Sequence, residues 1–211
     1  MKVIKPYFEF VDKINGLDIL KKIEICGRVC YKSEGKIGDG SAEKFVASIV
    51  RRGHESVLEH VSITVKFVVD RGVSHEIVRH RIASYSQESS RYCNYSKDDF
   101  GSEITFIEPY FFTGAVTYDT WEKAMQSCEN AYFELLNIGA TPEQARSVLP
   151  NSLKTELVMT ANLREWRNFF KVRTPHSAHP QMREVTRPLL SAFKKNIPVV
   201  FDDIFWEGEN R

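Results

Sequence analysis

Cysteine is scarce in this sequence, and its spacing excludes a common kind of metal site. The 211 residues include four cysteines, and no two of them form a CxxC pair. Cysteine zinc sites use such closely spaced pairs, so we exclude one here. The cysteines are interpreted as small apolar side chains, buried in a protein of a reducing compartment. They are Cys26, Cys30, Cys93 and Cys128.

Long apolar runs and an excess of one charge are also missing. No run of about eighteen apolar residues is present, so no membrane span is predicted. The first residues, MKVIKPYFEFVDK, carry charges throughout and lack the apolar core of a signal peptide, which favours a cytoplasmic location. Lys and Arg total 29 against 28 for Asp and Glu. This balance argues against non-specific binding to nucleic acid or an anionic membrane, so any basic site must be local.

The pattern of apolar residues predicts a mixed α/β (α+β) fold in a single domain over residues 1–211. With 42% hydrophobic residues, the chain can form a sizeable core. Alternation predicts a strand at 61–70, further strands at 104–109 and 153–161, and an edge strand at 2–11 interrupted by Pro6. Periodicity and capping residues predict helices at 17–31, from Ser41 to Gly53, from Ser74 to about Arg81, at 118–138, from Thr141, after Asn162 and at 180–196. No predicted βαβ unit carries a glycine-rich phosphate-binding turn, so a Rossmann dinucleotide site is not supported.

One segment, RHRIASYSQESSRY at 79–92, concentrates basic, hydroxyl and amide groups, which we interpret as a loop. Six arginines occupy predicted element ends or loops. Arginine is favoured over lysine where a phosphate or carboxylate is bound by a planar, bidentate contact. They are Arg79, Arg81, Arg91, Arg146, Arg164 and Arg173. The residues alone therefore predict a nucleotide or dinucleotide site of unknown reaction. A non-catalytic nucleotide- or RNA-binding module, or a phosphoester hydrolase using His80 or His54, stays open as an alternative.

Two further segments bear on this site. HESVLEH, at 54–60, is interpreted as a loop that leads into the strand at 61–70. Its second histidine follows the first by six residues, so the helical spacing of a zinc pair is absent and no metal is predicted. The helix after Asn162 carries an apolar arc of Leu163, Trp166, Phe169 and Phe170. Its opposite face carries Arg164 and Asn168, which suit phosphate, ribose or base edges, and the helix N-terminus favours an anion.

These segments resemble the flavin-dependent thymidylate synthases. Arg79-His80-Arg81, seven residues and then Ser89 match the RHR-x7-S signature, and the fuller RHRxxSYSQxSxRY pattern also fits. NLREWRNFFKVR, ARSVLP and HESVLEH are similar to three other segments of that family. The resemblance implies an enzyme, a homotetramer of α/β subunits with a central, largely antiparallel sheet flanked by helices. FAD would lie at subunit interfaces.

The resemblance also implies a reaction. The enzyme would convert dUMP to dTMP by reductive methylation, with methylenetetrahydrofolate as one-carbon donor and NADPH reducing the flavin. Residues expected to contact FAD are His54, Ser56, Arg79, His80, Arg81, Gln87, Asn162, Arg164 and Asn168. Residues expected to hold dUMP are Glu76, Arg79, Gln87, Glu88, Ser89, Ser90, Arg91, Arg146 and Arg173.

Two residues in these groups have particular implied roles. Arg173 is the expected catalytic residue, since a fixed cation beside the uracil favours its N3-ionised form. Ser89 lacks a suitably spaced base and is assigned to dUMP positioning, with no covalent enzyme nucleophile. The backbones of Glu88 and Ser90 are expected to matter more than their side chains. No role is assigned to His176 or His179.

Overall fold

The computed structural model describes residues 1–91, 95 and 103–209, so Tyr92 and Cys93 lie outside the described residues. The chain divides into two compact units. The first unit comprises Met1–Tyr7, Phe67–Arg79 and Tyr85–Val158, and the second comprises Phe8–Lys66, His80–Ser84 and Met159–Arg211. The extent of one domain over residues 1–211 stays a prediction.

Strands and helices alternate irregularly along the chain. The strands are β1 (Lys2–Ile4), β2 (Tyr7–Phe10), β3 (Ser62–Asp70), β4 (Ala83–Gln87), β5 (Thr105–Ile107) and β6 (Lys154–Asn162). The helices are α1 (Gly16–Val29), α2 (Ser41–Arg51), α3 (Arg71–Ile77), α4 (Ala115–Asn137), α5 (Pro142–Ala145), α6 (Leu163–Arg173) and α7 (Pro180–Asn196). Among the described residues, no helix combines the length and apolar character needed to cross a membrane.

The main sheet has four strands in the order β2-β3-β6-β4. In the second unit, the Leu163 amide donates to the Val61 carbonyl at 2.9 Å, and in the first unit the Arg71 amide donates to the Leu153 carbonyl at 3.1 Å. From Val61 to Arg71 the residue number rises, while that of the bonded partner falls from Leu163 to Leu153. Strands β3 and β6 are therefore antiparallel. The predicted mixed α/β class with an antiparallel sheet is confirmed.

The edge strand predicted at 2–11 forms two strands. Lys5 and Pro6 separate β1 from β2, as expected because proline cannot donate to a sheet ladder. In the first unit, β1 pairs with β5 in parallel, with Val3 opposite Phe106. The core of this unit includes Phe106, Trp121 and Tyr132, so α4 contributes its predicted apolar face.

The second unit has an aromatic core centred on α6. Trp166, Phe169 and Phe170 are fully buried together with Phe193 of α7. The indole Nε1 of Trp166 also donates to the Ile63 carbonyl at 3.0 Å, which ties α6 to β3. The predicted apolar arc is therefore confirmed, and burial of these rings fixes the rotation of α6 about its axis.

Three local predictions were wrong. The loop expected within 79–92 contains β4, a strand whose small polar side chains give little hydrophobic alternation. Helix α3 begins at Arg71 because the Asp70 carboxylate accepts the Val73 amide at 2.8 Å. Helix α2 has Gly40 as its N-cap, while the Ser41 hydroxyl donates to Glu24 at 2.7 Å.

The cysteine interpretation also needs correction. The described cysteines are free, but Cys30 is exposed, and Cys26 and Cys128 are only partly buried. Burial raises the pKa of the Cys128 thiol, which keeps that side chain in its neutral form. Cys30 lies at the C-cap of α1, where the chain leaves the packed helix and turns toward solvent.

Candidate active site

The N-terminus of α6 is held by its predicted cap. The side chain of Asn162 accepts the Glu165 amide at 2.9 Å, which satisfies one of the first N–H groups of the helix. Arg164, on the exposed side, pairs with Glu59 at 2.6 Å. The cap and the buried aromatic face together orient the polar side of the helix toward a cavity.

This α6 cavity has a volume of about 470 Å³ and lies within the second unit. Three of the residues expected to contact FAD line it, namely Asn162, Arg164 and Asn168. The full lining is Glu55, Glu59, Ile82, Asn162, Arg164, Glu165, Asn168 and Lys171. Amide, guanidinium and carboxylate groups next to one aliphatic side chain suit a ligand with a ring and several polar groups.

A partly buried chain of hydrogen bonds includes Glu165, which lines this cavity. The Nε of Arg173 donates to the Nε2 of His80 at 3.1 Å, and the Nδ1 of His80 lies 2.9 Å from the Oε1 of Glu165. Because arginine can only donate, the Nε2 of His80 must accept. The proton of the neutral imidazole is therefore on Nδ1 and is donated to Glu165.

The surroundings of His80 favour the neutral form of its ring. Burial of His80 lowers its pKa; the hydrogen bond to Glu165 acts in the opposite direction, and the nearby charge of Arg173 lowers the pKa further. His80 also packs edge-on against Phe169, with ring centroids 4.9 Å apart. A neutral His80 can accept from Arg173, and it would lose that capacity on protonation.

Glu165 is a member of this site that the sequence analysis missed. It lies three residues after Asn162, the position at which a capping-box glutamate reaches back to the N-cap. Instead, its carboxylate accepts from His80 and from the Nδ2 of Asn168, the latter at 3.1 Å. The only local signal was this apparent capping pattern, which points to a helix start and not to a partner elsewhere.

Glu165→Gln is expected to lower turnover roughly tenfold to a hundredfold, the size seen when a group that orients a functional histidine is altered. An amide can donate as well as accept, so it no longer enforces the Nδ1–H tautomer of His80. The acceptor for Arg173 is then lost in part of the molecules. The measurement is the pH dependence of turnover together with the ¹⁵N chemical shifts of the His80 ring.

Glu122→Gln, an exposed carboxylate of α4, is the control. A Glu165→Gln variant whose pH profile and His80 tautomer are unchanged would contradict the role of Glu165 in orienting His80, even if its thermal stability fell.

His54 and Ser56 lie at a second opening of the same unit. Together with side chains of α1, α2 and the connecting segment they line a groove of about 740 Å³, which we call the α1–α2 groove. The segment that carries them was expected to be a loop, but Glu55–His60 forms a 3₁₀ helix. Two of the residues expected to contact FAD thus line the groove, and three others line the α6 cavity.

The first unit holds most of the residues expected to bind dUMP. The Nε2 of Gln87 donates to the hydroxyl of Ser74 at 3.0 Å and to that of Thr155 at 3.2 Å. The side chain of Glu88 pairs with Lys154 at 2.9 Å, and its backbone amide donates to the Glu156 carbonyl at 2.8 Å. Glu88 therefore holds β4 and β6 in register.

A pocket of about 420 Å³ in the first unit includes Ser90 and Arg146. The Nη1 of Arg146 donates to the Ser90 hydroxyl at 3.3 Å. Arg71 and His75, which the sequence analysis did not select, also line this pocket, with Glu143 and Ser147. Arg71 was missed because α3 begins three residues earlier than predicted.

The remaining expected residues lie around these openings. Arg91 pairs with Glu143 at 3.0 Å, and its amide donates to the Ser89 hydroxyl at 3.3 Å. Arg79 and Arg81 are exposed, and Glu76 is half-buried. Arg79 belongs to the first unit, whereas His80 and Arg81 belong to the second. Arg173 is the last residue of α6, in the second unit.

An α/β protein with an antiparallel sheet, and with arginine- and amide-lined cavities in each unit, fits the class of nucleotide-dependent enzymes. The model of the family described as thymidylate synthase complementing protein matches residues 14–199. A flavin-dependent thymidylate synthase of Geobacter sulfurreducens is 36% identical over 193 residues, covering 86% of this chain and 80% of that protein. One of Pyrococcus furiosus is 36% identical, covering 82% and 71%.

The chain belongs to the flavin-dependent thymidylate synthase family and is an enzyme. The resemblance stated from the sequence is thus confirmed. A solved UMP/dUMP methylase of Streptomyces cacaoi, bound with 5-Br dUMP, has the same fold, with a TM-score of 0.76. It is 24% identical and the match covers 96% of each chain, so it supports the fold alone.

Proposed function

We propose that this enzyme converts dUMP to dTMP by reductive methylation, with methylenetetrahydrofolate as one-carbon donor. The observation that supports the proposal best is the chain from Arg173 through His80 to Glu165 beside the α6 cavity. It holds a guanidinium at the end of α6 in one orientation. Such a fixed cation suits a reaction in which negative charge develops on a nucleobase.

The side chains of the α6 cavity fit FAD by their chemistry. Asn162, Arg164 and Asn168 offer amide and guanidinium donors, Ile82 offers an apolar surface, and all four line one cavity. When bound, FAD supplies the hydride that completes the methyl group, after reduction by NADPH. The protein residues contribute binding and orientation. His80 remains neutral and transmits the position of Glu165 to Arg173.

Arginine, hydroxyl and amide groups are proposed to hold the nucleotide. Arg146 and Arg91 provide cations for a phosphate, and Ser89 and Ser90 add hydroxyl groups. Gln87 is held by Ser74 and Thr155, so its amide has a fixed direction. Arg173 is assigned to the uracil, where its charge favours the N3-ionised form.

The assembly and location complete the proposal. We assign the enzyme to the cytoplasm as a homotetramer, with FAD sites at subunit interfaces. These assignments derive from the resemblance.

Purified enzyme supplied with FAD, NADPH, methylenetetrahydrofolate and dUMP is expected to show flavin absorbance and to form dTMP. The measurement is chromatographic detection of dTMP together with the visible spectrum of the desalted protein. Reactions lacking one component each provide the controls. Protein that neither retains nor accepts FAD, or that holds FAD and leaves dUMP unchanged with all components present, would overturn the proposal.

A further inference from the structure

The end of strand β4 is joined to β6 from both faces of the sheet. Gln87 is the last residue of β4, and its Nε2 donates to the Thr155 hydroxyl of β6 at 3.2 Å. The next residue, Glu88, accepts from the Nζ of Lys154 at 2.9 Å. Because successive side chains of a strand point to opposite faces, Thr155 and Lys154 hold the chain before Ser89 from its two sides.

The carboxylate of Glu88 is occupied by groups of the protein. Its side chain is only 12% exposed. Besides Lys154, the backbone amide of Glu156 donates to its Oε2 at 3.2 Å, and the hydroxyl of Tyr95 donates to its Oε1 at 3.3 Å. The backbone amide of Glu88 in turn donates to the Glu156 carbonyl at 2.8 Å. Glu88 is therefore fixed by its side chain and by its backbone.

Lys154 supplies the cation of this cluster. Its side chain is 20% exposed, and its Nζ also lies 2.9 Å from a carboxylate oxygen of Glu156. Burial alone would lower the pKa of Lys154, but the hydrogen bonds and charges of Glu156 and Glu88 outweigh it and hold that pKa above its usual value. Lys154 is therefore protonated at neutral pH and compensates the charge of Glu88.

The residues that follow Glu88 are those expected to hold the nucleotide, namely Ser89, Ser90 and Arg91. A displacement of the Glu88 backbone would move them, because the chain is continuous. A carboxylate three residues before Arg91 would also oppose an anionic phosphate unless a cation compensates it. Lys154 therefore acts on this segment both by fixing its start and by cancelling a charge of the wrong sign.

We propose that Lys154 is a positioning residue of the nucleotide site, which through Glu88 fixes residues 89–91 and neutralises the carboxylate that precedes them. The proposal rests on the proposed function, because it takes dUMP as the nucleotide that this segment holds. Lys154 is assigned no contact with the substrate or with FAD. Its loss should therefore weaken the binding of dUMP and leave the chemical step in place.

The test is Lys154→Met in the FAD-loaded enzyme, a change that removes the charge and keeps an unbranched side chain. It leaves the Glu88 carboxylate largely buried without its cation. We expect the KM for dUMP in dTMP formation to rise on the order of tenfold, within the range for residues in direct contact, while kcat stays close to that of the wild type. Lys66→Met is the matched control and should keep the wild-type KM, because Lys66 is a β3 lysine that pairs with Glu9 at 3.9 Å.

A rescue variant separates positioning from a general loss of stability. Lys154→Met combined with Glu88→Leu replaces the ion pair by apolar side chains, an exchange that is often neutral for stability. It also removes the unpaired carboxylate, so we expect it to recover most of the wild-type KM. Hydrogen exchange of residues 85–91 in the enzyme without dUMP should be faster in Lys154→Met and slower again in the double variant.

The outcomes decide on the role of Lys154. A KM that rises in Lys154→Met and falls again in the double variant supports it. An unchanged KM in Lys154→Met, a loss confined to kcat, or a KM that stays high in the double variant would overturn it. If Lys154→Met does not fold, Lys154→Gln keeps a hydrogen-bond donor without the charge and carries the same expectations. Wild-type enzyme that forms no dTMP would refute the proposed function instead, and hydrogen exchange of the variants would still test the positioning role.

Discussion

Replacement of Arg173 by alanine is expected to lower dTMP formation roughly 100-fold to 1,000-fold, the cost of removing one group that stabilises developing charge. Arg173 is the last residue of α6, and its Nε is bonded to His80 at 3.1 Å. Alanine removes the cation assigned to the uracil. It leaves the amides and the guanidinium of the α6 cavity in place, so FAD should be retained.

The measurement pairs a turnover assay with the FAD content of the desalted protein. Arg51→Ala, an exposed arginine at the end of α2, is the control and should match the wild type. Arg173→Lys keeps the positive charge but loses the planar group that bonds to His80, so an intermediate rate is expected. Equal loss of FAD and turnover in Arg173→Ala would contradict the assignment to the uracil.

The part of the site that sequence could predict is the part encoded locally. The apolar arc of α6 and the cap at Asn162 lie within one continuous segment, and both are confirmed. That segment also carries Arg164 and Asn168, which the structure brings to one cavity. Helical periodicity gives such an arrangement directly, because the buried face fixes the direction of the opposite one.

The part that sequence could not predict depends on distant partners. Glu165 and His80 are 85 residues apart, and Glu165 has the local appearance of a capping residue. Lys36, Lys44 and Arg52 likewise resemble ordinary solvated charges until α1 and α2 bring them to one groove. Strand β4 was missed for a related reason. Its pairing with β6, and not its own hydrophobicity, makes it a strand.

Loss of the Arg167 side chain of α6 is expected to lower the stability of the fold strongly. Its side chain is 1% exposed and donates to Glu55 at 2.9 Å and to both oxygens of Asp203 at 2.6 and 2.7 Å. It also donates to the carbonyl of Val200, so it anchors the segment after α7 to α6. Arg167→Met should keep the packing volume while leaving these acceptors without their donor.

We expect Arg167→Met to lower the free energy of unfolding by about 3 kcal/mol. This is the lower end of the range for breaking a buried ion pair, because the Asp203 side chain is 49% exposed and can regain water. Denaturant unfolding at neutral pH gives the value. Arg164→Met is the control: that arginine belongs to the same helix but is exposed and pairs only with Glu59 among the described ion pairs. Its loss should cost much less stability than the loss of Arg167.

The difference between wild type and Arg167→Met should also depend on pH. Burial alone would raise the pKa of Asp203, but the hydrogen bonds and charge of Arg167 outweigh it and hold that pKa below its usual value. A carboxyl group with a lowered folded pKa stabilises the protein above its unfolded pKa, about 3.9, and the contribution is lost as the pH falls through the folded value. The two proteins should therefore converge in stability in acid. A constant difference across that range would show that Arg167 stabilises the fold by packing, without a contribution from its ion pair.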